Sequence, residues 1–146
     1  VTIRFFSKSE TYREFSNFGP FPIEIDGTTW PSVEHYYQAQ KFFDPALQEK
    51  IRTARKPVIA KSLAVKYRRG ARADWDKAKD AVMERAVRAK FAQYEVLRAL
   101  LLATGAEPLA EAAPNDYYWG VGEDGTGQNK LGVLLMRIRM ELRAAE

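Results

Sequence analysis

Glu34, Tyr37, Gln38 and Lys41 recur at i, i+3, i+4 and i+7 within SVEHYYQAQKFF, residues 32–43. On a helix that spacing gathers an acid, a phenol, an amide and an amine on one face. Val33, Tyr36, Gln40 and Phe43 share another face. A helix with these two faces is suited to lining a cleft. Glu34 falls in the first turn, where the positive helix end favours a carboxylate. A solvated Glu–Lys stripe has the same spacing, so the pattern alone does not decide. In DWDKAKDAVMERAVRAKFAQ, residues 74–93, the apolar stripe holds Trp75, Ala78, Val82, Met83 and Ala86. At about 100° per residue Lys79 and Lys90 fall in that same stripe. Lys90, near the helix end, can snorkel outward. Lys79, in mid-helix, is the better candidate for a pocket lysine whose amine burial makes neutral and nucleophilic.

The segment PNDYYWGVGEDGTG, residues 114–127, sets Tyr117, Tyr118 and Trp119 beside glycines as stacking surfaces for a base or sugar. Asp116 is a second carboxylate to set beside Glu34, and paired carboxylates are the usual equipment for breaking glycosidic bonds. Gly120, Gly122 and Gly125 match GxGxxG, but no strand of a βαβ unit precedes them and Glu123 and Asp124 sit where phosphate belongs. A dinucleotide fingerprint is therefore rejected. Asn129 opens the last helix, whose first N–H groups are available to a phosphate. Asn17, between Phe15 and Phe18 in Phe-Ser-Asn-Phe, is a candidate base or ribose contact.

The elements that must position these residues follow from punctuation. Residues 2–6 and 21–26 read as short strands, and Asp26-Gly27 as a hairpin turn. Pro31-Ser32 opens a helix to about Phe43, with Ser32 its N-cap. Asp44-Pro45 restarts one to about Ala54, and Pro57 another to about Arg69. Asp74 caps a long helix to about Gln93. A fifth helix runs from about Glu95 to Ala103 and stops before Gly105. A last amphipathic helix carries Leu131, Leu134, Leu135, Ile138 and Leu142. The expected fold is α+β, a helix-dominated single domain over 1–146 with a small antiparallel sheet near the N-terminus. With no Cys and one His, thiolate nucleophiles, disulfides and multi-histidine zinc sites are excluded. A Ser-His-Asp triad has only His35 to use. No apolar run is long enough to span a membrane, and a cytoplasmic location is the expectation.

The net charge of +4 is unevenly placed. Lys50, Arg52, Arg55, Lys56, Lys61, Lys66, Arg68, Arg69 and Arg72 share a segment with no acid, and the remainder is acidic. Such a block attracts polyanions, nucleic-acid backbone included, or is simply a solvated face.

In combination, Phe-Ser-Asn-Phe at 15–18, WPSVEHYYQAQKF at 30–42, DWDKAKDAVMERAVRAKF at 74–91 and YWGVGEDGTGQNKLG at 118–132 closely resemble the YbiA-like family, also called NADAR. The resemblance covers nearly the whole chain, more loosely over 44–72. It implies an N-glycosidase of YbiA-like fold that acts on one of two substrates: ADP-ribosylated guanine in DNA, left by toxins, or the ribosylamino-pyrimidinone 5′-phosphates of early riboflavin synthesis. The family's functional residues fall on Glu34, Trp75, Asp116 and Trp119. Its covalent lysine would be Lys79 or Lys90. Both substrates join ribose C1 to an exocyclic amine, so one site can serve either. The candidate acid/base groups are Glu34 and Asp116, with Trp119 as stacking wall. Asn17, Lys41 and Asn129 are expected on sugar or phosphate, and Trp30, Tyr37, Gln38, Trp75 and Gly120 complete the substrate contacts.

Removal of ADP-ribose from DNA, an antitoxin-type activity, is the first expectation, with Lys50–Arg72 on the DNA backbone. The riboflavin-intermediate reaction is the alternative, and a non-catalytic ADP-ribose reader the second alternative. No metal or cofactor is required by this chemistry, and oligomeric state is not legible.

Overall fold

A computed structural model describes residues 1–146. The chain forms two compact units, Asn17–Gln93 and the pairing of Val1–Ser16 with Tyr94–Glu146. The architecture is α+β and helix-dominated, with two sheets of two strands each. No helix is long and apolar enough to cross a membrane.

In the Asn17–Gln93 unit, β2 (Ile23–Ile25) and β3 (Thr28–Trp30) form the expected antiparallel hairpin, with Ile23 opposite Trp30. Asp26 and Gly27 both take positive φ, 53° and 79°, the two-residue geometry that matches strand twist. Ile23 and Ile25 point inward and Glu24 outward. The Gln93 amide grips Glu24 from both sides, accepting from its N–H and donating to its carbonyl, each at 2.9 Å. Next comes α1 (Val33–Ala39), capped by Ser32, whose Oγ accepts from the His35 N–H at 3.1 Å. Every residue of α1 is buried, because α2 (Pro45–Arg52), α3 (Pro57–Lys66) and α4 (Trp75–Gln93) all pack against it. The helix ends four residues short of Phe43. Its ladder tightens into three-residue turns, Lys41 N–H to Gln38 and Phe42 N–H to Ala39. Asp44 must be extended ahead of Pro45, so the chain turns out of the helix first. Lys41 therefore stands on a turn just beyond α1.

In the other unit, β1 (Ile3–Phe5) pairs in parallel with β4 (Leu109–Glu111), Ile3 opposite Leu109. β4 was not expected from the sequence: it is three residues long, and all three are buried. The pair is covered by α6 (Lys130–Ala144), which packs both on β4 and on α5 (Glu95–Ala103). Leu131, Leu134, Leu135 and Ile138 are buried as the amphipathic pattern requires. Buried Arg139 donates to Thr104 Oγ1 and to the Glu107 carbonyl, each at 2.8 Å. It thereby occupies acceptors in the chain that leaves α5.

Candidate active site

Glu34 and its neighbours are built by the start of α1. The Glu34 N–H donates to the Asn17 carbonyl at 3.1 Å, tying the Phe-Ser-Asn-Phe segment to the helix start. One turn on, Gln38 donates from Nε2 to Glu34 Oε2 at 2.6 Å. Glu34 and Gln38 are both buried, at 6% and 3% exposure. A carboxylate held by so short a bond inside the protein is fixed in direction. The amide nitrogen must face the carboxylate, which leaves Gln38 Oε1 without a partner, and Asn17 Oδ1 is likewise buried and unpartnered. Asn17 Nδ2 reaches only the sulfur of Met83, at 3.4 Å, a weak acceptor.

Lys41 completes this face. Its ammonium lies 5.6 Å from the Tyr37 ring centre and 5.9 Å from that of Trp75, and the two rings are 5.1 Å apart. Burial pushes the Lys41 ammonium below the ordinary lysine range. Glu34 opposes that shift, while Lys61 and Lys79 add to it by like-charge repulsion. Lys61 belongs to the basic segment, which also touches Lys41 through the backbone: the Arg72 N–H donates to the Lys41 carbonyl at 2.7 Å. The Arg72 guanidinium lies 4.5 Å from the Phe43 ring centre and pairs with Asp74 at 2.6 Å. Part of the basic block thus borders the Glu34 face. Most of the rest is exposed, with Lys50 and Lys66 flanking the Tyr67 ring and drawing its phenol below the usual range, chiefly through the Lys50 hydrogen bond.

Several expectations are corrected. Of the two stripe lysines it is Lys90, not Lys79, that stays inside. Lys90 is 2% exposed, its ammonium 5.3 Å from the Phe21 ring centre and 6.0 Å from that of Phe91. Lys79 is half-buried and pairs with exposed Asp76 at 3.4 Å. Trp30 packs edge-on to Tyr36 at 5.4 Å in the core, on the side of α1 opposite Glu34. His35 accepts from Ser32 Oγ at Nδ1, 2.7 Å, and donates from Nε2 to the Ala54 carbonyl at 2.9 Å. Burial lowers its pKa despite that carbonyl. It joins α1 to the end of α2 as a neutral imidazole, and with a carbonyl where a triad needs a carboxylate it does not activate Ser32.

The remaining candidates belong to the other unit. Asp116 Oδ1 accepts from the N–H groups of Tyr118 and Trp119, at 3.1 and 2.8 Å, which folds the 114–119 turn. Trp119 is buried to 9% exposure and meets Tyr118 edge-on at 5.0 Å. Gly120 lies against β4, and a Cβ there would strike the Glu111 carboxylate and carbonyl. That explains the glycine by packing rather than by phosphate. Asn129 is likewise structural where a substrate contact was expected. Its Oδ1 accepts from the Glu111 N–H and its Nδ2 donates to the Leu109 carbonyl, each at 2.9 Å, so both ends of its amide clamp β4. The first amides of α6 are also taken: Lys130 N–H goes to Tyr118 and Leu131 N–H to Trp119. The loop carbonyls occupy the positions proposed for phosphate.

Two features escaped the sequence reading. Lys41 was placed on sugar or phosphate, although its spacing from Glu34 already put a lysine beside the acid. The division of the Gln38 amide between Glu34 and an empty acceptor position had no sequence signal.

Comparison with known proteins follows the same residues. The NADAR domain family model matches residues 4–143. N-glycosidase YbiA of Escherichia coli is 48% identical over 96% of this chain and 88% of its own length. A riboflavin biosynthesis protein of Vibrio vulnificus is 45% identical over 97% of this chain, which spans 38% of that longer protein. The NMR structure of E. coli YbiA superposes with a TM-score of 0.89 at 46% identity, covering 99% of this chain and 86% of that one.

Proposed function

The chain belongs to the NADAR family, and from that premise we propose that it is an N-glycosidase severing ribose C1 from the exocyclic amine of an aminopyrimidinone, with ribosylamino-pyrimidinone 5′-phosphates as substrates. The observation that carries this reading is the placement of a buried carboxylate and a desolvated amine together, Glu34 and Lys41, beside the Tyr37–Trp75 rings. Relatives named riboflavin biosynthesis proteins, in Vibrio vulnificus and Zea mays, favour the small substrate. Lys61 and Lys79 each repel Lys41 there, and a phosphate relieves that repulsion.

The chemistry is balanced with these residues alone. A ribosylamine opens to an imine at C1. Lys41 gives its proton to the Glu34 carboxylate and adds to C1 as the free amine, forming a C–N bond. The bond from C1 to the base nitrogen then breaks, and that nitrogen leaves with a proton donated by the Glu34 carboxyl. Glu34 next takes a proton from water, which adds to C1 and releases the sugar as its aldehyde with Lys41 restored. The Trp75 and Tyr37 rings form the stacking wall. Lys79 pairs with Asp76, and Lys90 lies between phenylalanine rings.

A second substrate, ADP-ribosylated guanine in DNA, is favoured by the basic segment bordering Lys41, which offers exposed Lys56, Lys61, Arg68 and Arg69 to a backbone. One sample should be given both substrates, with free base and released sugar quantified by chromatography. Turnover of the pyrimidinone phosphate supports the first reading. Turnover of the modified DNA alone replaces it with the second. Tight ADP-ribose binding without release from either substrate defeats both in favour of a reader.

A further inference from the structure

The unpartnered carbonyls of Gln38 and Asn17 are not used by the reaction described above. Buried amide oxygens without a hydrogen bond are uncommon, because such a group forfeits its water without compensation. Here there are two, and both residues are bonded to Glu34. Asn17 holds the Glu34 N–H through its backbone carbonyl, and Gln38 holds the Glu34 carboxylate through Nε2. Gln38 cannot turn its amide over to satisfy the oxygen without setting it against the carboxylate. Asn17 faces the opposite constraint, with its donor spent on the poor sulfur acceptor of Met83. Gln38 Oε1 and Asn17 Oδ1 are thus two acceptors without donors, and call for a ligand edge that donates to both.

We propose that Gln38 Oε1 and Asn17 Oδ1 are the specificity-determining acceptors for the leaving base, taking the lactam N–H and the adjacent amino N–H of an aminopyrimidinone ring, free or fused in guanine. The assignment rests on the N-glycosidase reading for the identity of the base. It excludes adenine-type bases, whose ring nitrogens are acceptors and would face two carbonyl oxygens. Gln38 acts at the same time as a positioning residue: a base held on Oε1 stiffens the amide whose other end orients Glu34. Both oxygens are closed off from water, so a base reaches them only as the packing around them opens.

The test separates recognition from turnover. Binding of 2,6-diaminopyrimidin-4-one and of its N3-methyl derivative to the intact protein is followed by amide NMR titration, in wild type, Gln38→Met and Asn17→Leu. The wild type is expected to bind the N–H base at least about tenfold more tightly than the methylated one. Each variant should narrow that ratio to about threefold or less, with an unchanged fold by circular dichroism. Equal binding of the two bases by the wild type overturns the proposal, as does failure to bind either at millimolar concentration. A ratio preserved in both folded variants overturns it as well. If a variant does not fold, the other variant and the wild-type ratio decide. Base release is scored separately. Discrimination without release refutes the N-glycosidase reading and leaves the acceptors standing, whereas release without discrimination does the reverse.

Discussion

Asn129→Ala separates a structural clamp from a substrate contact. Asn129 takes φ of 53°, a region an alanine enters at a cost of about 1 kcal/mol or more. Its side chain satisfies two backbone groups of β4, the Glu111 N–H and the Leu109 carbonyl, in a strand with no exposed residue. Orphaning a buried backbone group costs about 1–3 kcal/mol, so with two such groups the variant should lose roughly 3–7 kcal/mol. For a chain of this size each kcal/mol moves the melting point by about 2–4 °C, which predicts a fall of roughly 6–28 °C by calorimetry. Asn129→Gly keeps the backbone conformation and should recover about 1 kcal/mol of the loss. Asn129→Asp retains the acceptor for Glu111 but sets an oxygen against the Leu109 carbonyl, and should be no more stable than the alanine variant. The reasoning is refuted if Asn129→Ala melts within about 3 °C of wild type, above all if it then binds substrate poorly.

Gly120→Ala should cost at least about 1–3 kcal/mol by urea denaturation, since the new methyl meets the Glu111 carboxylate and carbonyl. The single histidine should take up its proton only below pH 6.5, its burial disfavouring the charged ring, when its ring proton is followed by NMR. Its folded-state pKa is depressed, so the unfolded chain binds the proton first. His35 should therefore contribute to stability above pH 6.5 and lose that contribution as pH falls toward its folded pKa, and His35→Gln should flatten this dependence. Lys61→Glu should raise KM for a phosphate-bearing substrate about fivefold, with kcat nearly unchanged and a weaker salt dependence. An unchanged KM would remove Lys61 from the phosphate site.

Punctuation residues made the helices legible. Ser32, Asp44-Pro45, Pro57 and Gly105 each act on their own backbone, and each marks an element boundary near the expected place. Asp26-Gly27 did the same for the hairpin. What sequence pattern missed is non-local. β4 is a three-residue strand whose pairing with β1 spans most of the chain, and nothing in Leu-Ala-Glu announces it. The end of α1 was overextended because the apolar pattern continues to Phe43 after the hydrogen-bond ladder has turned. Lys79 and Lys90 exchanged roles for a similar reason: helical phase gives the face of a side chain, not whether an acid such as Asp76 waits within reach. Asn129 looked like a ligand group because an asparagine at a helix start is as able to hold phosphate as to hold a strand.

The account stands or falls on Glu34. Base release from ribosylamino-pyrimidinone 5′-phosphate should be measured for wild type and Glu34→Gln under single-turnover conditions. The substituted amide is nearly the same shape and can still bond Gln38, so the fold should survive. The predicted rate falls by about 10²–10⁴, with the melting point little changed. A Glu34→Gln enzyme that releases base within about threefold of the wild-type rate, on a scale where loss of a general acid costs at least about a hundredfold, would contradict the assignment of this carboxylate to the chemistry.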